Sequence, residues 1–193
     1  MRGTSWMLAQ LDFATRTHHV GADAGRIGLL SGPITRDRYE EYLARVYAFE
    51  APIEQRWQTI EGLDSVVDLR PRMRTGFLVS DLAALAMRPE PVSPAQFTGV
   101  EQALGWMYAV ERGRRMNALL YRHLTRRLPQ VLTVAGNYLN ASSPCGTRWQ
   151  QFGEALDRFA THHVIVEQII NAANRAFRSL KVAPRFTTGA HAA

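Results

Sequence analysis

The segment Ala14-Thr15-Arg16-Thr17-His18-His19-Val20-Gly21-Ala22-Asp23 carries the residue types best suited to holding a charged, metal-bearing ligand. Thr15 and Arg16 stand four and three residues before His19, and Asp23 stands four after it. On a helix, side chains at these spacings share one face. A neutral imidazole ligates iron well, heme iron included, and a guanidinium one turn away can pair with a ligand carboxylate. The plainer alternative is a structural or solvated histidine, since a motif this short recurs by chance.

Two other constellations could do chemistry. His163 and Glu167 are four apart, with Asp157 earlier, a spacing that suits paired irons in helical bundles. Such sites draw several carboxylates from facing helices, and the apolar stripe here runs through His163, so His163 reads as a core histidine and His162 as solvated. Cys145, in Ser142-Ser143-Pro144-Cys145-Gly146, precedes a helix that could activate its thiol. With no dedicated base or acid beside it in sequence, it reads as an ordinary loop cysteine.

The elements that must position these groups read as nearly all helix, in one domain spanning 1–183. A first helix covers about Ser5 to Arg26 and ends near Gly28. Gly32-Pro33 makes a turn and Thr35 caps a second helix, about Arg36 to Ile60, kinked at Pro52. A shorter helix spans about Arg72 to Met87. Ser93-Pro94-Ala95-Gln96 has the form of a helix start, with a cap, a first-turn proline and a capping box. That helix runs toward Arg127, stopping before Pro129, with a bend expected near Gly113 and Asn117. Thr147-Arg148-Trp149-Gln150 forms a second capping box, opening a helix whose apolar stripe continues from Trp149 to Leu180. Residues 184–193 read as a disordered tail. The expected fold class is all-α, a single-domain helical bundle.

Composition narrows the partners. The 193 residues carry a net charge of +6, and of 23 basic residues only Lys181 is a lysine. A sequence pI near 10.1 favours anionic partners. The arginines are scattered apart from two short clusters, without a nucleic-acid-binding signature, so no nucleic acid is expected. The lone cysteine excludes an internal disulfide and suits a reducing cytoplasm. No signal peptide or membrane span is visible.

Four segments then carry a family resemblance. They are the Thr15–Asp23 pattern, of the form T-x-x-x-H-x-x-x-[ED]; Ile34-Thr35-Arg36-Asp37-Arg38-Tyr39-Glu40-Glu41-Tyr42-Leu43 with Tyr47 to Glu54; Ala103-Leu104-Gly105-Trp106-Met107-Tyr108-Ala109-Val110-Glu111; and Trp149-Gln150-Gln151-Phe152 with Ala155-Leu156 and Ala176-Phe177. Their order and spacing resemble the compact bacterial heme oxygenases, particularly those associated with bacteriophytochromes. The resemblance implies the heme oxygenase-like helical bundle, with heme as both cofactor and substrate. It also implies opening of heme to biliverdin, carbon monoxide and iron, with electrons from a ferredoxin or reductase. By the same resemblance His19 ligates iron, Arg16 anchors a heme propionate with Arg175 and Arg178 as further candidates, and Asp23 orients the His19 imidazole.

After its Y-x-x-E segment the family has a G-S-T-L-G-G-type run that bends the distal helix and brings backbone close to heme. Here Arg112, Met116 and Asn117 replace the three glycines, and a small shift would keep one as Gly113. A Met116 sulfur on the iron would block oxygen, whereas Asn117 could donate a hydrogen bond to it. Turnover therefore stands beside a non-catalytic heme- or bilin-binding alternative, and a non-heme iron enzyme on the same bundle is a third.

Overall fold

The computed structural model describes residues 5–88, 93, 95–141 and 145–182. The helices are α1 (Trp6–Ser31), α2 (Arg36–Trp57), α3 (Leu63–Val66), α4 (Thr75–Ala84), α5 (Gly99–Arg114), α6 (Asn117–Arg127), α7 (Pro129–Ala135), α8 (Asn137–Asn140), α9 (Cys145–Phe159) and α10 (His163–Val182), with a 3-10 turn at Arg70–Arg72. Among the described residues there is no strand. The expected all-α bundle is what forms.

Two cores organise it. Met7, Leu11, Trp57, Leu104, Tyr108, Phe152 and Phe177 fill the space among α1, α2, α5, α9 and α10. Leu29, Tyr39, Leu43, Leu78, Leu120 and Tyr138 fill that among the end of α1, α2, α4 and α6 to α8. The tightest crossing is α5 on α10: a Cβ built on Gly105 would lie 2.7 Å from Ala172 Cβ and 2.8 Å from Ala173 N. Only glycine allows this approach.

Caps place the helix that carries the candidate ligands. Ser5 Oγ accepts from Leu8 N (3.1 Å) and donates to Asp157 Oδ1 (2.7 Å), which also accepts from Met7 N (3.0 Å). Asp157 therefore tethers the start of α1 to α9 rather than belonging to a metal cluster. Thr35 caps α2 through Arg38 N (3.3 Å), as its sequence predicts.

Several boundaries differ from the sequence reading. α1 continues past Gly28 to Ser31 and stops at the extended Gly32. The capping box at Ser93 does not start α5; that helix begins behind Thr98, whose N–H donates to Gln102 Oε1 (3.3 Å). Phe97, buried and stacked on Trp106 at 5.3 Å, ties the preceding chain to the core as non-helical backbone. Pro94 lies outside the described residues, as do residues 184–193, where the disordered tail was expected. α4 starts at Thr75 rather than near Arg72, because Glu54 takes the N–H groups of Arg74 and Thr75 at 2.8–2.9 Å. α9 begins at Cys145, ahead of the capping box at Thr147, and the long terminal helix breaks at 160–162 into α9 and α10. After the break α10 lies along both α5 and α1, and α9 packs chiefly on α1. It also overturns the reading of His163 as a core residue. Its side chain is 83 % exposed in the first turn of α10, facing Glu167 at 3.7 Å. Among the described residues no cluster of three metal-ligating side chains occurs.

Candidate functional site

His19 sits on the face of α1 that looks across to α5 and α10. Its side chain is 16 % exposed and its ring lies 5.7 Å from that of Phe177. Burial, and then the nearby Arg112 guanidinium, pull its pKa below the usual histidine value, so the imidazole is neutral near pH 7. Nε2 is 3.0 Å from Thr15 Oγ1, and Thr15 Oγ1 donates its proton to Leu11 O at 2.7 Å. Nε2 is therefore the donor in its bond to Thr15. For Nε2 to ligate iron, that proton must move to Nδ1, which looks toward Asp12 at 3.9 Å.

His18 is engaged elsewhere. Its Nε2 is 3.0 Å from Asn174 Oδ1, and its ring stacks on Phe177 at 5.9 Å. Arg16 is exposed, with its guanidinium 4.5 Å from the Phe13 ring centre, one turn from His19 and free to reach a ligand at the surface. Arg175 and Arg178 are exposed on α10, on either side of Phe177 in sequence.

Asp23 does not hold His19. It accepts from Arg112 Nη1 at 3.0 and 3.2 Å, and Arg26 Nη1 is 3.7 Å away. Arg112 thus bridges from α5 to α1 across the space beside His19. Below it, Arg26 is buried against α5, and a Cβ on Gly113 would collide with its guanidinium. The remaining cavity is about 270 Å³, lined by Asp12, Asp23, Arg112, Arg115 and Met116. Asn117, the first residue of α6, is fully buried, and Met116 packs partly on the second core. α5 ends at Arg114 and the chain bends at Arg115–Met116, the bend that the sequence predicts here.

The bend rests on a buried charge network that the sequence reading missed. Arg114, wholly buried, donates through Nε to Glu50 Oε2 (3.0 Å) and through Nη1 to the Arg72 carbonyl (2.7 Å), and its Nη2 pairs with Glu54. Tyr138 donates to Glu50 Oε1 at 2.7 Å. Glu111 lies 3.3 Å from Arg72 and 3.4 Å from Arg148. Glu50 and Glu54, four apart on α2, and Glu111 and Arg114, three apart on α5, were legible as same-face pairs. Nothing in the sequence said they face each other. Desolvation pushes the Glu50 carboxyl up, partly offset by Arg114. Desolvation also lifts the Tyr108 hydroxyl, close to Thr15, to about 12.

A tetrapyrrole fits the proximal half of this arrangement: a neutral, half-buried imidazole with an arginine one turn away. It does not fit the distal half as the side chains stand, because Arg112 and Arg26 occupy the gap.

Residues 6–183 match the family model for heme oxygenase. A search of curated proteins finds no match. Among solved structures, the heme oxygenase from Neisseria meningitidis, determined in NO- and CO-bound forms, superposes with a TM-score of 0.74 at 20% sequence identity, covering 92% of this chain and 89% of that one. At that identity the likeness speaks for the fold. The family match spans nearly the whole chain, and the protein belongs to the heme oxygenase family.

Proposed function

We propose that this member of the heme oxygenase family binds heme on the His19 face of α1 and does not open the macrocycle. One observation carries the reading: Arg112, standing where the family has a distal glycine, crosses the gap to Asp23 at 3.0 Å. The family's reaction needs free space on the face opposite the axial ligand, where oxygen is activated. Here that space holds Arg112, with Met116 at its edge. Heme would enter when the Arg112–Asp23 bridge opens and the Arg112 side chain moves out of the gap. In this reading His19 would hold the heme iron, Thr15 and Asp12 would set its tautomer, and Arg16 with Arg175 or Arg178 would receive a propionate at the surface.

Turnover to biliverdin, carbon monoxide and iron, fed by a reductase or ferredoxin and serving a bacteriophytochrome system, is the second reading. The bend at Arg115–Met116 favours it, because the distal helix turns where the family's glycines turn it. A hemin titration followed at the Soret band, then ascorbate in air with and without carbon monoxide, separates the two. The proposal expects a saturable Soret shift and no green product. Biliverdin formation would overturn it in favour of turnover.

A further inference from the structure

A second cavity lies on the other side of Arg26 from His19. It measures about 330 Å³ and is lined by Gly21, Gly25, Arg26, Tyr42, Val46 and Phe49, with Leu180 and Arg45 at its edge. It runs on past Arg45 into a smaller cleft of about 250 Å³ between α1 and α2 that reaches Arg38. On the α1 side the wall is glycine. A Cβ on Gly25 would be 3.8 Å from Arg45 Nη1, so the groove is open because α1 presents no side chain there.

Two polar groups at the floor are unfinished. Arg26 and Tyr42 are 8 % and 7 % exposed; Arg26 Nε has no hydrogen-bond partner, and Tyr42 Oη makes no well-formed hydrogen bond, with the Arg26 guanidinium beside it. A buried donor left unpaired is destabilising, so a ligand that completes it is favoured. The charge count points the same way. Arg72, Arg114 and Arg148 share Glu50, Glu54 and Glu111. Arg26 has only Asp23, at 3.7 Å, and Arg112 holds that carboxylate more closely at 3.0 Å. Glu50 also borders the cavity, but its oxygens are taken by Arg114 and Tyr138. Arg26 is thus a buried cation on a cavity wall whose nearest carboxylate, Asp23, is shared with Arg112 and whose Nη1 also donates to the Ala22 carbonyl at 3.1 Å.

We propose that the α1–α2 groove binds a small organic carboxylate with an apolar body. Its oxygens would take the Arg26 guanidinium and the Tyr42 hydroxyl, and its body would lie on Val46, Phe49 and Leu180. A planar carboxylate matches the guanidinium fork. Arg45, at the mouth in an exposed pair with Glu41, adds a second positive charge along the path in. The volume sits at the lower end of the 300–1,000 Å³ range of ligand pockets, which selects a short ligand.

Isothermal titration of the full chain with octanoate, with octanol as the uncharged control, tests the site. Saturable one-to-one octanoate binding is expected, with octanol at least tenfold weaker. Tyr42→Phe, which removes one oxygen, should weaken binding about tenfold, and Arg26→Gln should weaken it more. Gly25→Leu should abolish binding by filling the groove, with circular dichroism confirming that the variant is folded. If Gly25→Leu fails to fold, Tyr42→Phe carries the test alone. Absence of saturable binding, equal binding of octanol, or unchanged affinity in Tyr42→Phe would overturn the proposal.

Discussion

Replacing Arg112 with glycine should improve hemin binding, although it deletes a cation from the neighbourhood of an anionic ligand. Arg112 Nη1 reaches both Asp23 oxygens, at 3.0 and 3.2 Å, with the two side chains 16 % and 17 % exposed. A hydrogen bond to a charged group contributes about 1.5–3 kcal/mol, and partial solvent screening lowers this to roughly 1–2 kcal/mol. If heme enters only when the bridge is open, apparent affinity falls by the open fraction, about 3–15 % at that energy. Arg112→Gly should therefore tighten hemin binding about 5- to 30-fold in a Soret titration. It should also lower unfolding stability by about 2–3 kcal/mol, the lost pair plus about 1 kcal/mol for glycine within a helix. Asp23→Asn breaks the same bridge and leaves the Arg112 side chain in place, so it separates a lock from an obstruction. An affinity gain in both variants means the bridge is the lock; a gain only in Arg112→Gly means the side-chain volume is the block. An unchanged or weaker hemin affinity in Arg112→Gly would refute distal closure altogether.

His19→Ala should abolish the Soret shift on hemin addition, while His18→Ala, whose ring is committed to Asn174 and Phe177, should largely keep it; equal binding by both variants would remove His19 as the ligand. Arg16→Ala should weaken hemin binding about tenfold, the loss of one charge-assisted contact at an exposed position, and an unaltered dissociation constant would discard its propionate role. Gly105→Ala should cost about 1–3 kcal/mol in denaturant unfolding because its Cβ has to push α5 off Ala172 and Ala173, and a variant as stable as the parent would contradict the tight crossing. His19 has a pKa lowered below 6.5, so the unfolded chain binds its proton more readily than the folded one. Its contribution to stability is complete above pH 6.5 and is lost as pH falls through the folded value, and His19→Phe should flatten that acid limb of a stability–pH curve.

Much of this was visible in the chain because the signals are local. The Thr15–His19 contact, the Thr35 cap, the bend after Gly113 and the bundle itself each follow from residues within a turn or two of one another. The failures came where distant chain decides. The capping box at Ser93 lost to Thr98 once Phe97 buried itself against Trp106. The apolar stripe from Trp149 to Leu180 is continuous in sequence but divides at 160–162, where the chain turns from α9 into α10. That break leaves His163 in solvent. Asp23 was assigned to His19 by spacing along one helix, whereas a cation on α5 claims it. Arg26, seven residues beyond His19 on the same helix, attracted no notice, although a buried arginine there decides how close α5 can come.

The bend at Arg115–Met116 and the buried charge beneath it belong together. In the family the distal glycines let the helix bend and approach heme. Here the bend survives at Arg115–Met116 without them, and what fixes it is Arg114, pinned inside the bundle by Glu50, Glu54 and the Arg72 carbonyl. An anchor of that kind holds only while every partner is present, since removing one leaves a charge buried and unpaired. The distal segment of this chain is therefore set by a polar lock rather than by backbone freedom. A lock positioned by Arg114 sets its neighbours: Arg112 reaches Asp23 on α1, and Arg115 lies over the Trp149 ring on α9 at 4.9 Å. The substitutions that keep the helix bent are thus in register with those that close the site. Restoring glycine at Met116 and Asn117 alone would leave Arg112, whose charge acts on His19, still in place.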